Sequence, residues 1–267
     1  QEFTVRETKK TSGLELPSKT ILTTQMVMKG DQANIYANYQ NKLMHELIDE
    51  NGNLILDDAE LILKRLLRLI QCASNPAILD RSYTELPIKF LFLQEKLKEI
   101  TENKNKVIIW TSFIDSVEWL CWKLEKYQPC KIHGSISIDD RNNSIKRFKN
   151  DPSCQIMIAT PGAAKEGLTL TVANFAIFYD RSFSLDDYLQ AQDRIHRISQ
   201  TQKCTVINLI AKNTVDEWVD ELLNAKFQAA QLAQGDISKE IFVDTFDFDL
   251  SRMLQQILNS DLQEEII

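Results

Sequence analysis

The chain has 267 residues, of which 43% are hydrophobic and 26% charged, an ordinary balance for a globular protein of one large domain or two small ones. It has no run of about 18 apolar residues and no apolar core near its start, so we expect neither a membrane span nor a signal peptide. The net charge of -7 argues against a simple basic nucleic-acid binder.

The charge is distributed unevenly. Residues 215–267 carry 12 acidic and 3 basic side chains, so residues 1–214 carry a net charge of about +2. A local contact with DNA is therefore compatible with the composition. The acidic tail is predicted to be either a protein-binding segment or a solvated surface.

The cysteines do not form a metal-binding or disulfide pattern. Five are scattered without a C-x-x-C pair, and the chain has only three histidines. We therefore expect no zinc site and no disulfide framework, and reduced thiols are the default expectation. An initial Gln without a Met suggests that the sequence is a piece of a longer protein.

The N-terminal third begins with an extended segment followed by two helices. Residues 14–28 have the β-branched alternation of a strand, and Asp31 is a candidate N-cap for a helix over 32–49. A second helix is predicted over 58–73, with a broad leucine-rich face, and it ends before Pro76.

After Pro87 short apolar strands alternate with helices. The predicted strands are 107–110, 130–133, 155–159, 174–179 and 204–211, and the predicted helices are 88–101, 115–127, 138–149, 185–197 and 215–233. Continuous apolar strands separated by helices indicate a parallel sheet covered on both faces. Right-handed crossovers then give a doubly wound α/β domain, which binds ligands beyond the carboxyl ends of its strands.

The stretch QAQDRIHRISQ (190–200) is the most informative part of the sequence. On a helix Arg194 and Arg197 point from nearly the same face, and Asp193 can pair with Arg197. Two neighbouring guanidiniums suit a polyphosphate. A surface helix with many salt bridges is the alternative interpretation of the same residues.

The pattern Q-x-x-D-R-x-H-R-x-x-Q resembles the last conserved helicase motif of the Swi/Snf-related ATPases, in helicase superfamily two. The resemblance implies that Arg194 and Arg197 are catalytic, as fingers on the ATP phosphates. It also implies that Gln190 and Asp193 belong to the nucleotide-binding site.

Three further segments resemble motifs of the same lobe: VIIWTSF (107–113), KIHGSISIDDR (131–141) and ATPGAAKEGLTLT (159–171). The resemblance, together with the position of hydroxyls and small residues at strand ends, makes seven residues candidates for contact with DNA: Thr111, Ser112, Lys131, Gly134, Arg141, Thr160 and Lys165. It places Glu166 and Gly167 on the ATP side. The family usually has Gln at the position of Ser112, and many members have Gly at that of Lys165.

Segments LLRLIQCASNPAIL (66–79) and LPSKT (16–20) resemble features that separate the Swi/Snf group from other superfamily-two helicases. We therefore expect a RecA-like parallel sheet with helices on both faces, a helical N-terminal protrusion and a helical C-terminal extension. The expected divisions are a strand and protrusion at 1–86, the lobe at 87–214, and an acidic extension at 215–267.

The sequence has neither a G-x-x-x-x-G-K-[ST] loop nor a D-E-x-H strand. The resemblance implies that these elements, with the Mg²⁺ ligands, lie on a preceding lobe. The chain is then expected to be the C-terminal RecA-like lobe of a two-lobed motor that uses ATP with Mg²⁺, translocates on double-stranded DNA and is inactive alone.

The partners implied are double-stranded DNA and the N-terminal RecA-like lobe. The implied location is intracellular and DNA-associated, in a bacterial cytoplasm or a nucleus. Two alternatives stay open at this point: a lobe of a strand-separating superfamily-two helicase, and a non-catalytic interaction lobe.

Overall fold

A six-stranded parallel sheet forms the centre of the computed structural model, which describes residues 16–47, 59–164, 168–234, 236, 254 and 257. The strands are β1 (Lys19–Met26), β2 (Val107–Trp110), β3 (Cys130–Ile132), β4 (Ile156–Ala159), β5 (Phe175–Phe178) and β6 (Cys204–Ala211). Their order across the sheet is β1-β6-β5-β2-β4-β3, and each neighbouring pair is parallel.

The described part of the chain has seven α-helices. They are α1 (Gly30–Leu47), α2 (Ala59–Ser74), α3 (Ile88–Glu102), α4 (Ile114–Lys123), α5 (Ile138–Asn150), α6 (Leu185–Gln192) and α7 (Val215–Ala233). Short 3-10 turns lie at Pro76–Ile78, Glu125–Tyr127 and Gly162–Ala164. The expected RecA-like sheet with helices on both faces is confirmed.

The central strand β2 explains why the sheet needs helices on both faces. All four of its residues are completely buried. Ile108 and Trp110 pack in a core that includes Phe148 of α5, whereas Val107 and Ile109 pack in a second core with residues of α3 and α4. A strand buried on both faces must be apolar throughout, which is why VIIW lacks the alternation of a half-exposed strand.

The N-terminal strand belongs to the same sheet. It covers residues 19–26 of the predicted 14–28 and pairs with β6 from Lys19, opposite Cys204, to Met26, opposite Ala211. Its first residues are largely exposed because it is an edge strand.

The beginning of α1 differs from the prediction. The helix begins at Gly30, whose φ of 58° favours glycine, so Asp31 lies in the first turn instead of capping it. The Asp31 carboxylate still lies near the positive end of the helix dipole.

The first two helices share a core with α7. Tyr36, Leu43, Leu69 and Val219 are all buried in it. The Tyr36 hydroxyl accepts a hydrogen bond of 2.8 Å from the backbone N–H of Val215, at the start of α7. The predicted protrusion and the start of the predicted C-terminal extension therefore pack together, while the three-part division of the chain stays a prediction.

The described residues include no candidate membrane span and only a small part of the C-terminal end. Among the described residues, no helix is long and apolar enough to cross a membrane. Most of the predicted acidic tail lies outside the described residues, although Leu254 and Ile257 are buried, and the Gln40 side chain donates to the Ile257 carbonyl at 2.7 Å.

Candidate nucleotide and nucleic-acid site

The carboxyl ends of β2 and β5 are joined by a buried carboxylate. Asp180, just after β5, accepts a hydrogen bond from the Thr111 hydroxyl and one of 2.7 Å from the Ser112 backbone N–H. Thr111 is completely buried, so its hydroxyl positions this loop instead of facing a phosphate. That corrects the expectation of a direct Thr111 contact, whereas Ser112 is partly exposed.

Burial also changes the acidity of this carboxylate. Asp180 is 2% exposed, and burial raises its pKa above the ordinary value of 3.8. The hydrogen bonds from Thr111 and Ser112 and the charge of Lys89 oppose that shift. The loop after β2 is thus held by a group whose ionised form is costly at this position.

We expect Asp180→Asn to change how stability depends on pH. Because the folded pKa is raised, the Asp180 contribution to stability is fully present below 3.8 and is lost as pH rises through the folded pKa. The difference in unfolding free energy, wild type minus variant, should therefore fall as pH rises above 3.8. Urea unfolding at several pH values measures it, and a difference that grows with pH would contradict this assignment.

The two arginines lie after helix α6 and not on it, which corrects the predicted helix over 185–197. α6 begins after Ser184, whose side chain accepts from the Asp187 N–H at 3.2 Å, and it ends at Gln192. Turns carry the chain through Arg194 and Arg197. The helical spacing argument for an Asp193–Arg197 pair therefore does not apply.

The turns nevertheless place the guanidiniums close together. Arg194 donates to the Leu168 carbonyl at 3.2 Å, and Arg197 donates to the Thr169 hydroxyl at 2.8 Å. Burial, followed by the nearby positive charge of Arg197, lowers the pKa of Arg194. The two cations repel each other, so an anion between them would be favourable.

An open cavity of about 610 Å³ lies beside the arginines. Its lining includes Gln190 and Asp193, so the structure brings four of the predicted nucleotide-site residues together. Lys165, Glu166 and Gly167 lie outside the described residues, and their roles stay predictions.

Two other members of the motif fix this segment in place. Gln200 is 5% exposed, and its amide donates to the carbonyls of Ala173 and Ile195, each at 2.9 Å. His196 donates to the Pro17 carbonyl at 2.8 Å, which links the arginine turns to the segment before β1. Sequence reasoning did not foresee the His196 contact, because it joins residues 179 positions apart.

A second group of candidates lies at the sheet edge, in β3 and just after it. The Lys131 ammonium contacts both carboxylate oxygens of Glu118 at 2.6 Å, and His133 contacts Glu118 at 2.8 Å. Lys131 and His133 line a cavity of about 960 Å³ together with Arg147 of α5. The groove therefore has mixed charge, and Lys131 already has an acidic partner.

The remaining candidates differ in accessibility. Gly134 is exposed, and a Cβ there would meet no atom within 4 Å, so the protein itself does not require glycine at this position. Arg141 is partly exposed on α5. Thr160 is 9% exposed, and its backbone N–H donates to the Ile132 carbonyl at 3.0 Å.

The sequence of this core matches a known family. The model of the family described as helicase conserved C-terminal domain matches residues 89–199. Residues 89–199 are a helicase C-terminal domain. The human lymphoid-specific helicase is 33% identical over 147 residues, which cover 54% of this chain and 17% of that protein.

Solved structures show the same fold. The C-terminal part of the Fun30 ATPase domain has a TM-score of 0.67 at 20% identity, covering 91% of this chain and 97% of that one. The Sulfolobus solfataricus SWI2/SNF2 ATPase core in complex with dsDNA has a TM-score of 0.69 at 24% identity, covering 92% and 51%. The described part of this chain therefore has the fold of these ATPase domains, as its motifs predict.

Proposed function

We propose that the chain is the C-terminal motor lobe of an ATP-dependent translocase or remodeller that acts on double-stranded DNA. The observation that carries the proposal is the pair of guanidiniums, Arg194 and Arg197, beside an open cavity in a helicase C-terminal domain. The chain spans only 17% of the human lymphoid-specific helicase. The activity of a whole protein of this kind is therefore part of what we propose.

The residues beside the cavity fit a polyphosphate. An ATP phosphate between Arg194 and Arg197 would relieve the repulsion that contributes to the lowered pKa of Arg194. Arg197 is oriented by Thr169 and Arg194 by the Leu168 carbonyl, so the donors are arranged before a ligand arrives. In a closed cleft they would stabilise charge on the transferring phosphoryl group, which ATP supplies when bound.

The cofactor proposal includes Mg²⁺, held by the other lobe. Within the part of the chain that the structure describes, no three His, Cys, Asp or Glu side chains come together as a metal site. We therefore assign the Mg²⁺ ligands to a preceding N-terminal lobe, whose surface would face Arg194 and Arg197. This lobe of the same polypeptide is the first partner in the proposal.

The second partner is a DNA backbone at the carboxyl edge of the sheet. Ser112 is partly exposed there, and Lys131 would exchange Glu118 for a phosphate. The other candidate DNA contacts in the described part of the chain are Gly134, Arg141 and Thr160. Lys165, outside the described residues, is a further candidate. Such contacts to phosphates would be sequence-independent and would place the protein on DNA within the cell.

A strand-separating helicase is the main alternative, because its lobe chemistry is shared. A triplex-displacement assay on the two-lobed protein reports translocation along duplex DNA, and displacement of a paired strand reports unwinding. ATP-dependent triplex displacement without strand separation supports the proposal. ATP-dependent strand separation would favour the alternative. If the protein showed neither activity, an interaction lobe would be favoured.

The isolated chain is expected to hydrolyse ATP at no more than the rate of a buffer blank, with or without duplex DNA. It lacks the G-x-x-x-x-G-K-[ST] loop that would bind the β- and γ-phosphates. A phosphate-release assay on the purified chain measures the rate. Robust turnover that disappears in Arg194→Ala would contradict the two-lobe requirement.

A further inference from the structure

Two cysteines lie against each other at the edge of the sheet. Cys130 is the first residue of β3, and Cys154 lies two residues before β4. Their sulfur atoms are 3.0 Å apart, and the two residues are 3% and 0% exposed. The chain folds this pair together across 24 positions of sequence, so sequence spacing does not reveal it.

The two thiols have different acidities. A hydrogen bond joins the two sulfurs, and either thiol can be its donor. When Cys130 donates, this bond lowers the pKa of Cys154, as do the positive charges of Arg147 and Lys106, while burial raises it. The same hydrogen bond and burial raise the pKa of Cys130. Cys154 is therefore the more readily ionised sulfur, and a thiolate is the reactive form of cysteine.

A path from solvent reaches the pair. Cys130 lines the cavity of about 960 Å³, beside Lys131 and Arg147. A small neutral oxidant in that cavity would meet the Cys130 side chain, whose sulfur is 3.0 Å from that of Cys154. Cys121 lines the same cavity but has no thiol neighbour among the described residues, and burial raises its pKa to about 12.

We propose that Cys130 and Cys154 form a redox-active pair that a peroxide oxidises reversibly to a disulfide. The Cys154 thiolate attacks one peroxide oxygen, the O–O bond breaks, and the leaving hydroxide takes a proton to become water. The Cys130 sulfur, after losing its proton, then displaces hydroxide from the Cys154 sulfenic acid, and a second water forms. Two thiols and one hydrogen peroxide thus give one disulfide and two waters.

This pair is independent of the proposed motor function and adds a covalent state to the lobe. The disulfide would join the first residue of β3 to the segment before β4. Its Cys130 end lies one residue before Lys131, which lines the cavity of about 960 Å³. A small dithiol would reverse it: its first thiol releases one cysteine and forms a mixed disulfide with the other, and its second thiol then releases that cysteine as the dithiol becomes a cyclic disulfide.

The test uses the whole chain, reduced, desalted and treated with increasing hydrogen peroxide. Alkylation in denaturant followed by peptide mass spectrometry should show Cys130 and Cys154 protected together, joined in one cross-linked peptide. Cys72 and Cys121 should stay alkylatable at the same peroxide dose, and dithiothreitol should restore both protected sites. Cys121→Ser is the matched control and should cross-link like the wild type.

A second variant keeps the test informative about mechanism. In Cys130→Ser the resolving thiol is absent, so a 1,3-diketone probe should trap the sulfenic acid on Cys154. Protection of Cys121 before the pair, or five alkylatable thiols after a peroxide dose that oxidises free glutathione, would overturn the proposal. Trapping on no residue in Cys130→Ser, in a variant with wild-type circular dichroism, would also overturn it.

Discussion

Replacing either arginine of the cavity by alanine should lower the turnover number for ATP hydrolysis by the two-lobed protein by about 10³-fold. The reason is that Arg194 and Arg197 are held ready for charge that develops during phosphoryl transfer, so their loss affects the transition state more than ATP binding. Steady-state kinetics at saturating duplex DNA measure the effect. We expect the KM for ATP to change much less than the turnover number.

Arg65→Ala provides the matched control for these variants. Arg65 lies on α2 and contacts Glu46 across a partly exposed surface, with side chains 31% and 36% exposed. Removing the same charge there should leave turnover within about twofold of wild type. An equal loss in Arg65→Ala, or a loss below tenfold in both Arg194→Ala and Arg197→Ala, would be incompatible with a finger role.

The largest effect on stability is expected at Lys89. Its side chain is completely buried, and its ammonium lies 2.5 Å from a carboxylate oxygen of Asp216, which is 6% exposed. Lys89→Met would leave that carboxylate buried and unpaired and should lower the unfolding free energy by about 3–5 kcal/mol. Urea unfolding of the chain, followed by circular dichroism, gives the value.

A double-mutant cycle separates the ion pair from simple packing. Asp216 also accepts the Ala211 backbone N–H at 2.9 Å, and asparagine could still accept that bond. Lys89→Met with Asp216→Asn should therefore be more stable than Lys89→Met alone. The surface pair of Arg65 and Glu46 should contribute no more than about 1 kcal/mol when broken. A loss below about 1 kcal/mol in Lys89→Met would refute the importance of the buried pair.

Much of the fold could be predicted from local sequence. The strands VIIW and CTVINLIA and the helix over 215–233 have the predicted limits, because unbroken apolar runs or helical periodicity define them. The helix start at Gly30 and the helix end at Gln192 were predicted less well. Both depend on backbone geometry and capping, which the periodicity of side chains does not encode.

The site could be predicted only in part. The sequence motif identified Arg194 and Arg197 as candidates. Their placement depends on contacts with Leu168 and Thr169, which lie on another segment. Lys89 carried a weak signal, as a lysine in the apolar stretch IKFLFL, while its partner Asp216 lies 127 positions away. Side chains that meet through tertiary packing leave little trace in a single sequence.

The most direct test of the motor assignment is ATP hydrolysis by the two-lobed protein with and without double-stranded DNA. We expect duplex DNA to stimulate turnover strongly and single-stranded DNA of the same length to do so much less. The stimulation should fall as salt rises, because contacts to phosphates are screened. Turnover that does not respond to duplex DNA would contradict the account and leave the chain as an interaction lobe.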